Sequence, residues 1–285
     1  MIITYNILNS FLASVFRVIF KITALRKRYY GVHKRFFKPS GVFKGVSKKI
    51  VYRNKIVLDL DINDWIQQNL YFLDQYEEKE IKFLESMLKP GDLFIDVGAN
   101  IGLFSLVASA IIGESGKVYA FEPYSKNFDK LRHHVELNQI ANVIAERQAV
   151  SDKIGWIDIK ANEVDDNDGM ISAYVDTFTS SETVPTIDLD SYINDNIKRP
   201  IRFVKLDVEG GEYLALKGMS STLANDHPVV LVEINPAILS RTSFTPTMIE
   251  DVFFRLQYSK YYLGLKGQLL TERAPGDNSC NCVFI

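Results

Sequence analysis

The run Phe94–Ser105, FIDVGANIGLFS, constrains this chain more than any other stretch. Apolar residues lead to an acid, Asp96; Gly98, Asn100 and Gly102 follow, and the helical spacing of Leu103, Leu106 and Val107 begins directly after. That order predicts a buried strand, a tight glycine turn and a helix. Glycine at 98 and 102 lets backbone approach a ligand, and the N–H groups at the helix start are expected to face the same space. Asp96 then lies at the carboxyl end of its strand, where open α/β sheets hold their ligands. About twenty residues on, a second apolar strand, Lys117–Phe121, ends in Glu122-Pro123, and a carboxylate at that distance is placed to accept hydrogen bonds from both hydroxyls of a ribose.

Two nucleoside cofactors fit such a turn, and the spacing separates them. A dinucleotide site needs G-x-G-x-x-G because a pyrophosphate rests on the helix N-terminus. Here Gly98-x-Asn100-x-Gly102 follows an acid that would repel a pyrophosphate. A cationic donor such as S-adenosylmethionine, with its sulfonium and ammonium groups, suits Asp96 instead.

The other end of the crevice is read from Ile201–Glu212, IRFVKLDVEGGE. Lys205 and Asp207 interrupt a buried strand, and Glu209, Gly210, Gly211 and Glu212 follow as the chain turns. Charges in a strand covered on both faces are costly unless paired or solvated. Strand alternation puts Lys205, Asp207 and Glu209 on one side. A further strand, Val229–Ile234, brings Glu233 to the same edge. The plain reading is a Lys–acid pair with Glu212 near a helix start. The functional reading makes Asp207 or Glu209 a general base oriented by Lys205, with Glu212 and Glu233 on the acceptor; the same acids would suit a divalent cation held against a diol.

At 285 residues the chain has room for one large domain and an appendage, and 47% hydrophobic residues exclude a wholly disordered protein. Three segments are expected: a basic amphipathic arm at 1–50, a hairpin and helical cap at 51–90, and the main α/β domain at 91–285. A hairpin is expected around Arg53-Asn54, one strand over Val143–Val150, a loop at 163–169, and His133 and His134 on different sides of a helix, in surface or supporting roles. Cys280 and Cys282 are expected to stay reduced. No acid precedes Asp59, whereas 13 of the 33 basic residues do. Within the arm, Ile7, Leu8, Phe11, Val15, Ile19 and Ile22 recur at helical spacing, with Arg17 and Lys21 on the other side. Those charges disfavour a membrane span, and no cleavable leader is evident, so a cytoplasmic protein is expected. Three readings of the arm stay open: a helix packed on the domain, an in-plane anchor on an anionic membrane through residues 1–38 at its inner face, and nucleic-acid binding.

Several motifs in order, KPGDLFIDVGANIG, AFEP, ELN, AVSD, TIDLDSYI, VKLDVEGGE and NCVFI, resemble the FkbM-type family of S-adenosylmethionine-dependent methyltransferases from about Glu77 to the C-terminus. The resemblance implies a Rossmann-like class I methyltransferase sheet of seven strands, the last antiparallel. It implies Asp96, Gly98, Asn100 and Gly102 around the methionine part of the donor, Glu122 on the ribose and Ala149-Val150 near the adenine. It also implies O-methylation of a saccharide, lipid-linked or of the cell envelope, or of a secondary metabolite. His134 departs from the asparagine usual there. An RNA methyltransferase using the basic arm is one alternative, although Asp207-Val208-Glu209-Gly210 lacks the Asn/Asp-Pro-Pro-aromatic turn of amino-group methylation. A membrane-associated scaffold without activity is another.

Overall fold

The computed structural model describes residues 2–161, 171–174, 178–277 and 280–285, with side chains from residue 7 onward apart from that of residue 171. The loop expected at 163–169 lies outside the described residues. Two compact units are present, one built on residues 1–77 and the other on the described residues from Glu78 onward. The arm therefore folds together with the hairpin, and the helix Glu78–Met87 belongs to the larger unit.

In the first unit a helix, Ile2–Phe20, precedes strands β1 (Ser47–Tyr52) and β2 (Ile56–Asp61), which pair antiparallel. Three residues, Arg53, Asn54 and Lys55, connect them; Arg53 and Asn54 take positive φ (49° and 59°), and the Lys55 N–H donates to the Tyr52 carbonyl at 3.1 Å, closing the turn. A helix at Trp65–Leu73 follows, its first turn capped by Asp64 accepting from the Gln67 N–H. Phe20, Tyr29, Phe37, Phe43 and Phe72 form its aromatic core. Among the described residues no helix is long and apolar enough to cross a membrane.

The larger unit is built on β3 (Leu93–Val97), β4 (Lys117–Phe121), β5 (Val143–Glu146), β6 (Ala149–Ser151), β7 (Gly155–Ala161), β8 (Ile171–Ser172), β9 (Ser180–Asp188), β10 (Phe203–Leu206), β11 (Val229–Glu233), β12 (Lys260–Leu263), β13 (Leu269–Leu270) and β14 (Asn281–Phe284). Eight of these form one sheet in the order β13-β12-β14-β11-β10-β3-β4-β5. β5, β4, β3, β10 and β11 run parallel; β14 pairs antiparallel with β11 and β12. This is the expected α/β sheet with its last strand reversed, extended by the two-residue edge strand β13. All five residues of β3 and all four of β10 are buried, as strands covered on both faces must be.

The expected single strand 143–150 is two strands in different sheets. β5 closes the main sheet, whereas β6 pairs with β9 in a second sheet ordered β6-β9-β7-β8. Arg147 and Gln148 carry the chain between them. From β3 the main sheet grows through β4 and β5 on one side, then through β10 and β11 on the other. The strand order reverses between β3 and β10, and the carboxyl ends flanking such a reversal open into the ligand crevice.

Candidate active site

Both glycine-turn and acidic motifs meet at that reversal. Lys205 lies opposite Asp96 in register, and the Asp207 N–H donates to the Val97 carbonyl at 3.0 Å. Gly98 has φ +80°, and a Cβ there would lie 1.8 Å from the Asp207 carbonyl oxygen, so only glycine lets the two strand ends close.

The N–H groups of the turn itself, ahead of the helix that starts at Leu103, are taken up within the protein. Gly98 and Ala99 donate to the Phe121 carbonyl, Asn100 to Glu122 Oε2, Ile101 to Asn100 Oδ1 and Gly102 to the Ala99 carbonyl. Five successive donors, from Gly98 to Gly102, are thus engaged within the protein.

Asp96 is fully buried. The Ser105 hydroxyl donates to its Oδ2 at 2.6 Å, while Oδ1 is buried with no hydrogen-bond partner. Burial pushes its pKa up, against the opposing Lys205 charge and the Ser105 bond. A buried carboxylate oxygen with no partner fits the ammonium or sulfonium of S-adenosylmethionine. Glu122 is pinned by the N–H of Asn100 on Oε2 (2.7 Å) and of Tyr124 on Oε1 (3.0 Å), leaving second lone pairs on both oxygens for a diol. Burial raises Glu122 to about 7, with the two N–H bonds opposing and Asp96 and Asp207 adding repulsion.

This gives a signed expectation. Ribose hydroxyls and a cationic donor both favour the Glu122 carboxylate, so donor affinity should be about tenfold weaker at pH 6 than at pH 8. Equal dissociation constants by calorimetry at the two values would contradict it. Ligand-free stability should run the other way. Glu122 and Glu212 are both raised from 4.5 to about 7, chiefly by burial. Below about pH 4.5 folded and unfolded chains both carry these protons; between about 4.5 and 7 only the folded chain keeps them, so stability falls across that interval and is level above it. The urea midpoint of the free protein is expected to be higher at pH 5 than at pH 8.

Lys205 is 6% exposed, and its ammonium donates to Asp207 Oδ2 at 2.8 Å while lying 4.8 Å from the centre of the Phe104 ring. Burial works against the Asp207 carboxylate, but the Lys205 charge and hydrogen bond, with another bond from Glu233, prevail and hold it below its usual range. Carboxylate oxygens of Asp207, Glu209 and Glu233 lie within 4.8 Å of one another. Strand alternation does not explain Glu209, because β10 ends at Leu206. A turn with φ +52° at Glu209 itself brings that acid in, a conformation non-glycine residues adopt at some cost. Glu212 stands apart: it is 2% exposed, and its Oε1 accepts from the Gly210 N–H at 3.0 Å. Its Oε2 is buried with no hydrogen-bond partner, and Asp207 lies close enough to add repulsion.

Ser105 and Phe104 are supports that sequence reading passed over, and His134 takes the supporting one of the two roles expected for it. His134 is wholly buried, not a surface residue, and its Nδ1 lies 2.8 Å from the Ile101 carbonyl in the glycine turn; His133, on the other side, is exposed. Removing that ring in His134→Ala leaves a buried carbonyl short of a partner, and about 1–3 kcal/mol of stability should be lost, read by urea unfolding. On the acceptor side, the Ser172 hydroxyl donates to the Glu209 carbonyl at 2.5 Å, and the Tyr174 N–H donates to Ser172 Oγ. Their only sequence signal is a polar pair just past an aperiodic stretch. Val150 is buried in the main core and Ala149 packs beside Tyr124 and Val184, so toward an adenine these two would offer backbone.

A family model described as the methyltransferase FkbM domain matches residues 96–260, more than half of the chain. Hexuronic acid methyltransferase AglP of Haloferax volcanii is 29% identical over 162 residues, 57% of this chain and 64% of the relative. The 31-O-demethyl-FK506 methyltransferase FkbM of Streptomyces tacrolimicus is 41% identical over 68 residues, 24% of this chain and 25% of the relative. The match therefore spans less than two thirds of either relative. The crystal structure of methyltransferase FkbM from Methylobacillus flagellatus KT aligns with a TM-score of 0.44 at 15% identity, covering 76% of this chain and 52% of that chain.

Proposed function

Since the chain belongs to the FkbM methyltransferase family, we propose that it is an S-adenosylmethionine-dependent O-methyltransferase whose acceptor is a hydroxyl of a saccharide or secondary metabolite. The observation that carries this reading is the crevice itself, with Asp96 and Glu122 on one side of the sheet's reversal and Asp207, Glu209 and Glu233 on the other. Bound there, S-adenosylmethionine supplies an electrophilic methyl group with a neutral thioether as leaving group. Asp96 and Glu122 hold the donor, the first by charge and the second by the ribose hydroxyls.

Acceptor chemistry follows from the charges. Asp207, held low by Lys205, is a weak base and stays ionised, so it accepts a hydrogen bond and orients the acceptor. Glu209, whose carboxylate lies within 4.8 Å of those of Asp207 and Glu233, takes the hydroxyl proton. Glu233, bonded to Asp207, binds a neighbouring hydroxyl. Three acids beside one ammonium offer several acceptor oxygens to a hydroxyl-bearing ring. The relative named for hexuronic acid supports a sugar acceptor.

The same cluster supports a second reading, a divalent cation held by Asp207, Glu209 and Glu233 against an acceptor diol. Activity lost in chelator and restored by magnesium would select it. The acceptor class is tested by methyl incorporation from labelled donor into glycan, metabolite and RNA pools, with Asp96→Asn as control. Label in glycans or small hydroxyl compounds is expected; label confined to RNA, or equal in the control, would overturn the reading.

A further inference from the structure

The helix Ile2–Phe20 sits in its unit the opposite way round from what its apolar pattern suggests. Asn9, Ala13 and Phe20 are buried and Phe16 packs on Phe37, so the 9-13-16-20 stripe faces inward. The outward stripe carries Ile7 (65% exposed), Phe11 (66%), Val15 (38%), Val18 (67%) and, just past the helix, Ile22 (56%), spaced by four, four, three and four residues. A helix lying on its own unit normally shows solvent a polar face; here solvent meets the apolar one. The orientation is fixed, because Arg17 pairs with Asp74 and Arg26 donates to the Leu73 carbonyl.

What covers that stripe is indicated by charge. Lys21, Lys27, Arg28, Lys34, Arg35 and Lys44 are all exposed, and no acid occurs before Asp59. A second copy would bring two such cationic units together, which is unfavourable. A surface that is apolar at its centre and anionic at its margin matches both features. We propose that the first unit docks in-plane on an anionic phospholipid bilayer through the Ile7–Ile22 stripe, with the exposed lysines and arginines of the same segment attracted to the headgroups. This stands independently of the methyl-transfer reading and would bring the enzyme to acceptors at a membrane surface.

The test is flotation of the full chain with vesicles of phosphatidylcholine and phosphatidylglycerol, against phosphatidylcholine alone. Binding to the anionic vesicles only is expected, falling at least tenfold when salt is raised from about 0.05 to 0.5 M. Phe11→Asp/Val18→Asp and, separately, Lys34→Glu/Arg35→Glu should each lose at least tenfold of the partitioning. All four side chains are exposed, so unchanged thermal unfolding is expected and separates lost docking from lost folding. Equal recovery with both vesicle types, full flotation of the Phe11/Val18 variant, or absence of vesicle binding alongside a dimer that this variant dissolves would overturn the proposal.

Discussion

Glu209→Gln is expected to bind S-adenosylmethionine as tightly as the parent protein and to turn over about 10²–10⁴-fold more slowly, the range a positioned base contributes. The substitution keeps the size of the side chain and removes its negative charge together with its capacity to take a proton. Glu209 lies outside the donor half of the crevice, so donor affinity by calorimetry should stay unchanged while kcat falls. Asp207→Asn has a different signature. It takes the anion from beside Lys205, leaving a 6% exposed ammonium with less compensation, so stability and turnover should fall together. Wild-type turnover in Glu209→Gln, with loss in Asp207→Asn, would move the base to Asp207.

Gly98→Ala is expected to destabilise the larger unit by more than about 3 kcal/mol, or about 6–12 °C in Tm, and to abolish donor binding. The methyl group would lie 1.8 Å from the Asp207 carbonyl oxygen and 2.8 Å from its carbon, so β3 and β10 must part at the crevice. Gly102→Ala provides the contrast. Its φ, +89°, is equally strained, but its nearest neighbour is Leu131 Cδ1 at 2.4 Å, the far end of a side chain that can rotate. The second variant should therefore fold and bind donor measurably, more weakly than the parent. Differential scanning calorimetry and donor titration of both variants check the pair; equal effects would mean the Asp207 backbone contact is not what glycine at 98 protects.

The strands that end in Asp96 and Asp207 and the acids at their edge were legible because each rests on a local pattern, whereas the sheet as a whole came from the family resemblance. A fully apolar strand broken by one acid, followed by glycines, has few other folds open to it, and FIDVGANIG and VKLDVEGG each report a strand end. Less legible was anything set by which groups the tertiary fold brings together. Strand alternation assigned Glu209 to the cluster correctly but for a reason that does not apply, since a left-handed turn places it there. Glu212 has the same composition signal as Glu209, and only burial and its bond to the Gly210 N–H set it apart. His134 belongs to the site's support through a carbonyl 33 residues earlier in the chain, which no helical pattern discloses. The helix Ile2–Phe20 was recognised as amphipathic, yet periodicity alone assigns its apolar stripe to the core. Phe16 and Phe20, joined to Phe37 and Phe72 by ring contacts, turn that stripe outward.

The central claim is that a cationic nucleoside donor rests between Asp96 and Glu122. It is tested most directly by titrating S-adenosylmethionine and its neutral product, S-adenosylhomocysteine, into the full chain, the parent beside Glu122→Gln and Asp96→Asn. Glutamine at 122 would turn an amide N–H₂ toward the N–H of Asn100 or Tyr124, so both ligands should bind at least tenfold more weakly. Asp96→Asn should weaken the charged donor more than the neutral product. Absence of binding to the folded parent, or affinities for both ligands unmoved by both substitutions, would contradict the account.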